Sequence, residues 1–269
     1  MTAPLIRVEG VSVVRDGAEI LHDVSIVIEQ GEHIAILGPN GCGKSTLIKI
    51  LTREIYPYAG LGRVEICGLN RWQISQLRTM LGVVSEEPRE PLLGEPTGLE
   101  YAVSGLIGTY GILVQHHVTP EMMEQGRGAL VLCEAERLAD RTVNTMSTGE
   151  RRRVAIARAV VSGPRALVLD EPTNGLDLKA AFEFHDLVRR LIDAGITVIL
   201  VTHHLEELTP EITRVITMKN GRITADGSRA DVLTVDHLAG LFDVSSVALR
   251  ERIRGQLRGH HSWAANDGE

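Results

Sequence analysis

The sequence predicts an α/β fold: a mostly parallel sheet with helices on both faces, interrupted by an inserted helical subdomain. Three observations predict it. His33-Ile34-Ala35-Ile36-Leu37, Ala166-Leu167-Val168-Leu169 and Thr197-Val198-Ile199-Leu200-Val201 are short apolar runs, the pattern of parallel strands covered on both faces. Between the last two, Phe184, Leu187, Val188, Leu191 and Ile192 keep helical spacing, and Gly195 stands where a helix would stop. From about residue 88 to 161 strand patterns vanish. There Thr119-Pro120-Glu121 supplies a cap, a first-turn proline and an early acid, followed by Met122, Ala129, Leu130 and Cys133 at helical intervals. The expected division is a core of residues 1–88 and 162–244, a helical subdomain of 89–161 joined through Pro88, Pro91 and Pro96, and a tail of 245–269.

The elements follow in chain order. Val24, Ile26 and Ile28 alternate with polar or smaller partners, so this segment reads as a half-buried strand. The run ending at Leu37 leads into Gly38-Pro39-Asn40-Gly41-Cys42-Gly43-Lys44-Ser45, which fits the phosphate-loop pattern G-x-x-x-x-G-K-[ST]. Thr46-Leu47-Ile48-Lys49-Ile50-Leu51 then opens a helix, so the loop has the strand–loop–helix context of a P-loop nucleoside-triphosphatase core. Glycines let successive N–H groups converge on phosphate oxygens, and the helix start favours an anion. Lys44 is the point charge for the β- and γ-phosphates of a nucleotide, and the Ser45 hydroxyl is a ligand for Mg²⁺. Cys42 is a small residue that fits the loop.

The run ending at Leu169 continues into Asp170-Glu171-Pro172. Carboxylates at the C-terminal end of a parallel strand face the crevice where ligands bind. Asp170 is a candidate metal ligand, and Glu171 a candidate for orienting or deprotonating water. Thr202-His203-His204 ends the next run, and His203 is placed to donate to the γ-phosphate.

Composition bounds the rest. The 269 residues are 43% hydrophobic, enough for a real core, and hold no run of membrane-spanning length. No secretory leader pattern opens the chain. Three scattered cysteines, Cys42, Cys67 and Cys133, suit a reducing cytosol better than a disulfide or zinc framework. A net charge of −7 argues against a general nucleic-acid binder. Arg250, Arg252, Arg254 and Arg258 read as a solvated tail.

Five segments, the phosphate loop, Met146-Ser147-Thr148-Gly149-Glu150, Leu169-Asp170-Glu171-Pro172, Asn174-Gly175-Leu176-Asp177 and Thr202-His203, stand in the order and approximate spacing of the ABC ATPases. The sequence resembles that family over about residues 5–244. The resemblance implies a P-loop core with an antiparallel β region, binding ATP and Mg²⁺ and hydrolysing ATP. It implies that Ser147-Thr148-Gly149-Glu150, opening a helix over residues 151–161, meets the γ-phosphate held by the phosphate loop of a second copy or similar subunit. Asp177 would connect the two sites. A membrane permease is the family's commonest partner, which would hold the chain on the inner face of the cell membrane. The stretch Val235-Asp236-His237-Leu238-Ala239-Gly240-Leu241-Phe242-Asp243-Val244 is similar to the tail of importer subunits for metal chelates and oxyanions.

Three departures stand out. Glu86-Glu87-Pro88 replaces a glutamine-containing segment, making Glu86 a candidate near Mg²⁺. Thr148 replaces a common glycine. Arg15 falls where an aromatic usually stacks on adenine, and a guanidinium can also stack on a base. A rival reading, a soluble ABC ATPase acting on nucleic acid or the ribosome, stays open at this stage. A nucleotide-binding regulator that does not hydrolyse ATP is disfavoured by the intact Glu171.

Overall fold

The computed structural model describes residues 3–58, 62–85 and 92–251. Its central sheet has six strands in the order β5 (Leu81–Val84), β6 (Ala166–Asp170), β7 (Thr197–Thr202), β3 (Ile34–Leu37), β8 (Arg214–Lys219) and β9 (Arg222–Ser228). The first five run parallel; β9 returns antiparallel from β8. A second, antiparallel sheet has the order β2 (Ala18–Ile28), β1 (Ile6–Arg15), β4 (Arg63–Ile66).

Period-two alternation splits the core of the central sheet. Ala35, Leu37, Leu167, Leu169, Val198 and Leu200 pack on one face, with Phe184, Leu187, Val188 and Leu191 of α6 (Leu178–Asp193). Ile34, Ile36, Ala166, Val168, Ile199 and Val201 face the other way, towards the antiparallel sheet and α1 (Lys44–Leu51). This double burial explains why these strands read as continuous apolar runs.

The α2 helix (Ile74–Met80) leads directly into β5. Between β5 and β6 the described residues hold α3 (Gly98–Ile107), α4 (Pro120–Leu132) and α5 (Thr148–Val160), and no named strand. Thr119 caps α4 by accepting from Met122 N, with Pro120 in the first turn, as the sequence predicts. α5 starts three residues earlier than expected, because Ser147 is its cap. Ser147 Oγ accepts from Glu150 N at 3.3 Å, and Glu150 Oε2 accepts from Ser147 N at 3.0 Å, a closed capping box. Pro88 and Pro91 lie outside the described residues; the Pro96 carbonyl accepts from Val143 N.

The hairpin of β8 and β9 turns at Asn220-Gly221, both with positive φ, the signature of a tight I′ turn. Gly221 N donates to Cys42 O at 2.9 Å, and Gly221 O accepts from His22 N. The hairpin tip thus braces the phosphate loop against β2. At the other end of the hairpin, Arg214 reaches Glu32, Asp226 and the Val27 carbonyl. These contacts join both sheets and hold the Arg214 guanidinium firmly protonated, led by its bond to Asp226. After α7 (Arg229–Val232), α8 (Val235–Phe242) packs on β8 through the His237–Thr217 contact and Lys219, which donates to Gly240 O and pairs with Asp243. Arg250 pairs with Asp236; Arg252, Arg254 and Arg258 lie outside the described residues. No described helix is long and apolar enough to cross a membrane.

Candidate functional site

The strand order sets the site. β6, β7 and β3 are neighbours, and Ile36, Val201 and Asp170 stand in register. Their C-terminal ends therefore bring together the phosphate loop, the Asp170-Glu171 pair and His203. Asn40, Gly41, Ser45, Asp170, Glu171, Asn174 and His203 line one cleft of about 460 Å³. Ile20, Gly43, Lys44 and Thr46 line a narrower recess of about 150 Å³ that shares Asn40, Gly41, Ser45 and Glu171 with it. Gly38, Pro39 and Cys42 do not line either; they shape the loop. A Cβ on Gly38 would sit 2.2 Å from the Met218 carbonyl oxygen, and Gly43 has φ 110. Both positions need glycine. Cys42 is buried, and that burial pushes its thiol above the ordinary range, so it packs rather than reacts.

Lys44 is nearly inaccessible. Its Nζ donates to Gly38 O at 2.7 Å and Pro39 O at 3.2 Å, and lies 3.7 Å from Glu171 Oε1. Glu171 is held in several ways. Its backbone is left-handed at φ 46, a strained conformation for a side-chain-bearing residue that costs about 1–3 kcal/mol. Its N–H donates to Val201 O, Oε1 meets His203 Nδ1 at 2.9 Å, and Oε2 accepts from Asn174 Nδ2 at 2.7 Å. Arg152, from α5, donates to Ser85 O and to Glu171 O.

Ser147, Gly149, Glu150 and Asp177 lie elsewhere. They line a cleft of about 540 Å³ between the start of α5 and the start of α6, with Arg137, Arg153 and Lys179 on its walls. Asp177 caps α6 by accepting from Ala180 N at 2.8 Å. Glu150 is bonded to Ser147 N and paired with Arg141, and that backbone bond, with Arg141 behind it, holds its carboxyl below the usual range. Stabilisation from a lowered carboxyl pKa is complete above the ordinary value and is lost as pH falls through the lowered one. We therefore expect the Glu150 carboxyl to titrate, by carbon-13 NMR, with a midpoint under 4.5. Glu150→Gln should reduce the acid sensitivity of the fold; a midpoint at or above the ordinary value removes the capping-box account.

Arg15 lies apart, in a cleft of about 440 Å³ lined also by Ile20 and Thr46, which it shares with the phosphate recess. Its side chain is 73% exposed and lies 3.6 Å from Asp16. Glu86 lies outside the described residues.

The sequence profile of the ABC transporter family matches residues 21–174, which is more than half of the chain and includes the phosphate loop, the Ser147 segment and Glu171. The chain belongs to the ABC transporter ATP-binding family. Among similar proteins, an uncharacterised ABC transporter ATP-binding protein, YlmA, of Bacillus subtilis (strain 168) is 31% identical over 89% of this chain and 91% of its own length. The cobalt import ATP-binding protein CbiO of Rhodobacter capsulatus is 34% identical, over 81% and 76%. Among solved structures, cbiO1 of Clostridium perfringens, part of an ABC transporter complex, superposes with a TM-score of 0.75 at 28% identity, over 96% and 99% of the two chains. A dimeric, post-hydrolysis ATP-binding cassette holding ADP and Pi superposes at 0.68 and 28% identity, covering 83% and 98%. This ABC chain is an ATP-binding, ATP-hydrolysing subunit of the transporter type, and the P-loop core expected from the sequence is its fold.

Asn174, Arg152 and Glu207 bond to Glu171 or to the turn after it, and motif reading assigns them no role. Asn174 follows the Asp170-Glu171 pair closely enough to be suspected. Arg152 and Glu207 carry no local signal.

Proposed function

We propose that this subunit drives a membrane importer as a head-to-tail pair. Each ATP is clasped by the Lys44 loop of one copy and by the Ser147 helix start of the other. The observation that carries this reading is that the two anion-binding features of one chain line clefts with no residue in common. Two separate clefts on one chain fit a pair of copies related by a two-fold axis, in which each cleft faces the other kind on its partner. The dimeric relative with ADP and Pi supports the pairing. The relatives named for cobalt import support the direction, and a permease partner would hold the subunit against the inner face of the membrane without a span of its own.

Ser45 and Asp170 offer only hard oxygen donors at one cleft, which suits Mg²⁺ better than a soft-ligand metal. Glu86, outside the described residues, is the further candidate from the sequence. The ion supplies charge neutralisation at the β- and γ-phosphate oxygens. On phosphate binding Lys44 exchanges its carbonyl partners for phosphate oxygens. The backbone N–H groups of Gly41, Gly43, Lys44, Ser45 and Thr46, which line the recess, cradle the phosphates, and Arg15 stacks on the base. Glu171 orients the attacking water, and His203 donates to the γ-phosphoryl oxygen. From the partner, Ser147, Gly149 and Glu150 close the far side, with Asp177 linking the two sites.

Affinity-tagged chain produced in its native cell and captured from detergent-solubilised membranes should bring an integral membrane protein with it. Recovery from the soluble fraction alone, with no membrane protein bound, would favour the soluble ABC reading instead.

A further inference from the structure

We infer that Glu207 is a positioning residue for Glu171, fixing the turn that aims its carboxylate. The inference rests on the proposed role of Glu171 in orienting water.

Glu207 is 1% exposed. It lies in the single helical turn Leu205–Glu207, four residues after His203. Its Oε1 accepts from Thr173 N at 3.2 Å and also from the Thr173 hydroxyl. Thr173 stands two residues after Glu171, in the turn closed by Asn174 N donating to Glu171 O. The same turn sends Asn174 Nδ2 back to Glu171 Oε2. One segment, residues 203–207, therefore grips the 171–174 turn twice, at the carboxylate through His203 and at the backbone through Glu207.

Two features argue that the second grip is more than packing. Glu171 is held in a left-handed conformation, which persists only where its surroundings over-determine it. A buried carboxylate is a costly way to fill space, and Oε2 of Glu207 has no hydrogen-bond partner among the described residues. Only the oxygen facing Thr173 is used. What the site needs from Glu207 is that acceptor, and a glutamine can supply the same acceptor. Neighbouring Glu206, with a side chain 79% exposed, makes no such contact.

The test is steady-state ATP hydrolysis by the full-length chain, with folding checked by thermal melting. Glu207→Ala should lower kcat by roughly 10- to 100-fold, since small misplacements of reacting groups cost factors of that size. KM for ATP should stay within about threefold, because the phosphate loop is untouched. Glu207→Gln should stay within about threefold of the parent. Thr173→Val should lower kcat roughly three- to tenfold, the worth of one hydrogen bond, and should add little on top of Glu207→Ala. A kcat for Glu207→Ala within twofold of the parent, with Glu171→Gln inactive in the same assay, overturns the inference and spares the role of Glu171. So does a rise in KM that matches the fall in kcat, or a Glu207→Gln variant as impaired as the alanine. Activity in Glu171→Gln overturns both. If Glu207→Ala fails to fold, Thr173→Val decides: an unchanged kcat ends the proposal.

Discussion

Glu171→Gln should abolish turnover while leaving ATP binding intact, and should trap an ATP-bound dimer. Glutamine keeps the shape of the side chain and an oxygen that can accept from Asn174 or face His203. It removes the capacity to take a proton from water. General-base roles of this kind contribute about 10²–10⁴-fold, so phosphate release should fall by at least about 100-fold. The Lys44 loop and the Ser147 helix start are unchanged, so closure around two nucleotides proceeds and does not reverse. Light scattering on a sizing column should show a dimer with Mg-ATP and a monomer without it. Turnover within about threefold of the parent would remove Glu171 from the chemistry.

Ser147→Arg should separate binding from hydrolysis. The substitution fills the mouth of the cleft at the start of α5 with a long side chain and removes a helix cap. The cap is worth about 1 kcal/mol, too little to unfold a chain of this size. The phosphate recess shares no residue with that cleft, so ATP affinity of the isolated chain, read by fluorescent-nucleotide displacement, should change by less than about threefold. Hydrolysis should fall by about 100-fold or more, since preorganised donors to the γ-phosphoryl charge contribute on that scale. Ser147→Ala, which loses the cap but leaves the cleft open, should fall between the two. If ATP affinity and hydrolysis drop together, the Ser147 segment acts within its own chain and the head-to-tail arrangement is wrong.

Much of the fold and most of the candidate site were legible before any coordinates, for a physical reason. Phosphate binding by a glycine loop is local chemistry: Gly38, Gly43, Lys44 and Ser45 must follow one another in the chain for their groups to converge. Strands buried on both faces leave uninterrupted apolar runs, and β3, β6 and β7 lead into Gly38, Glu171 and His203. β1, β4, β8 and β9 are among the elements the sequence reading did not single out, and each is held by pairing with its neighbours. β9 alternates between half-buried and exposed, and is held by pairing with β8. The Asn220-Gly221 turn was the available signal for that hairpin.

The sequence by itself determined that this chain handles a nucleoside triphosphate, and it nominated the side chains for that work. Those assignments depend on residues close together in the chain, whose backbone geometry is nearly the same wherever they occur. Only the tertiary structure decided which of Glu206 and Glu207 is buried against Thr173, and that Arg152 of α5 reaches the Glu171 carbonyl. It also put the Lys44 loop and the Ser147 helix start on clefts with no lining residue in common. The two contacts join residues 19 and 34 apart in the chain, and contacts at such range are set by how helices and strands pack, which a string of residue types does not encode locally.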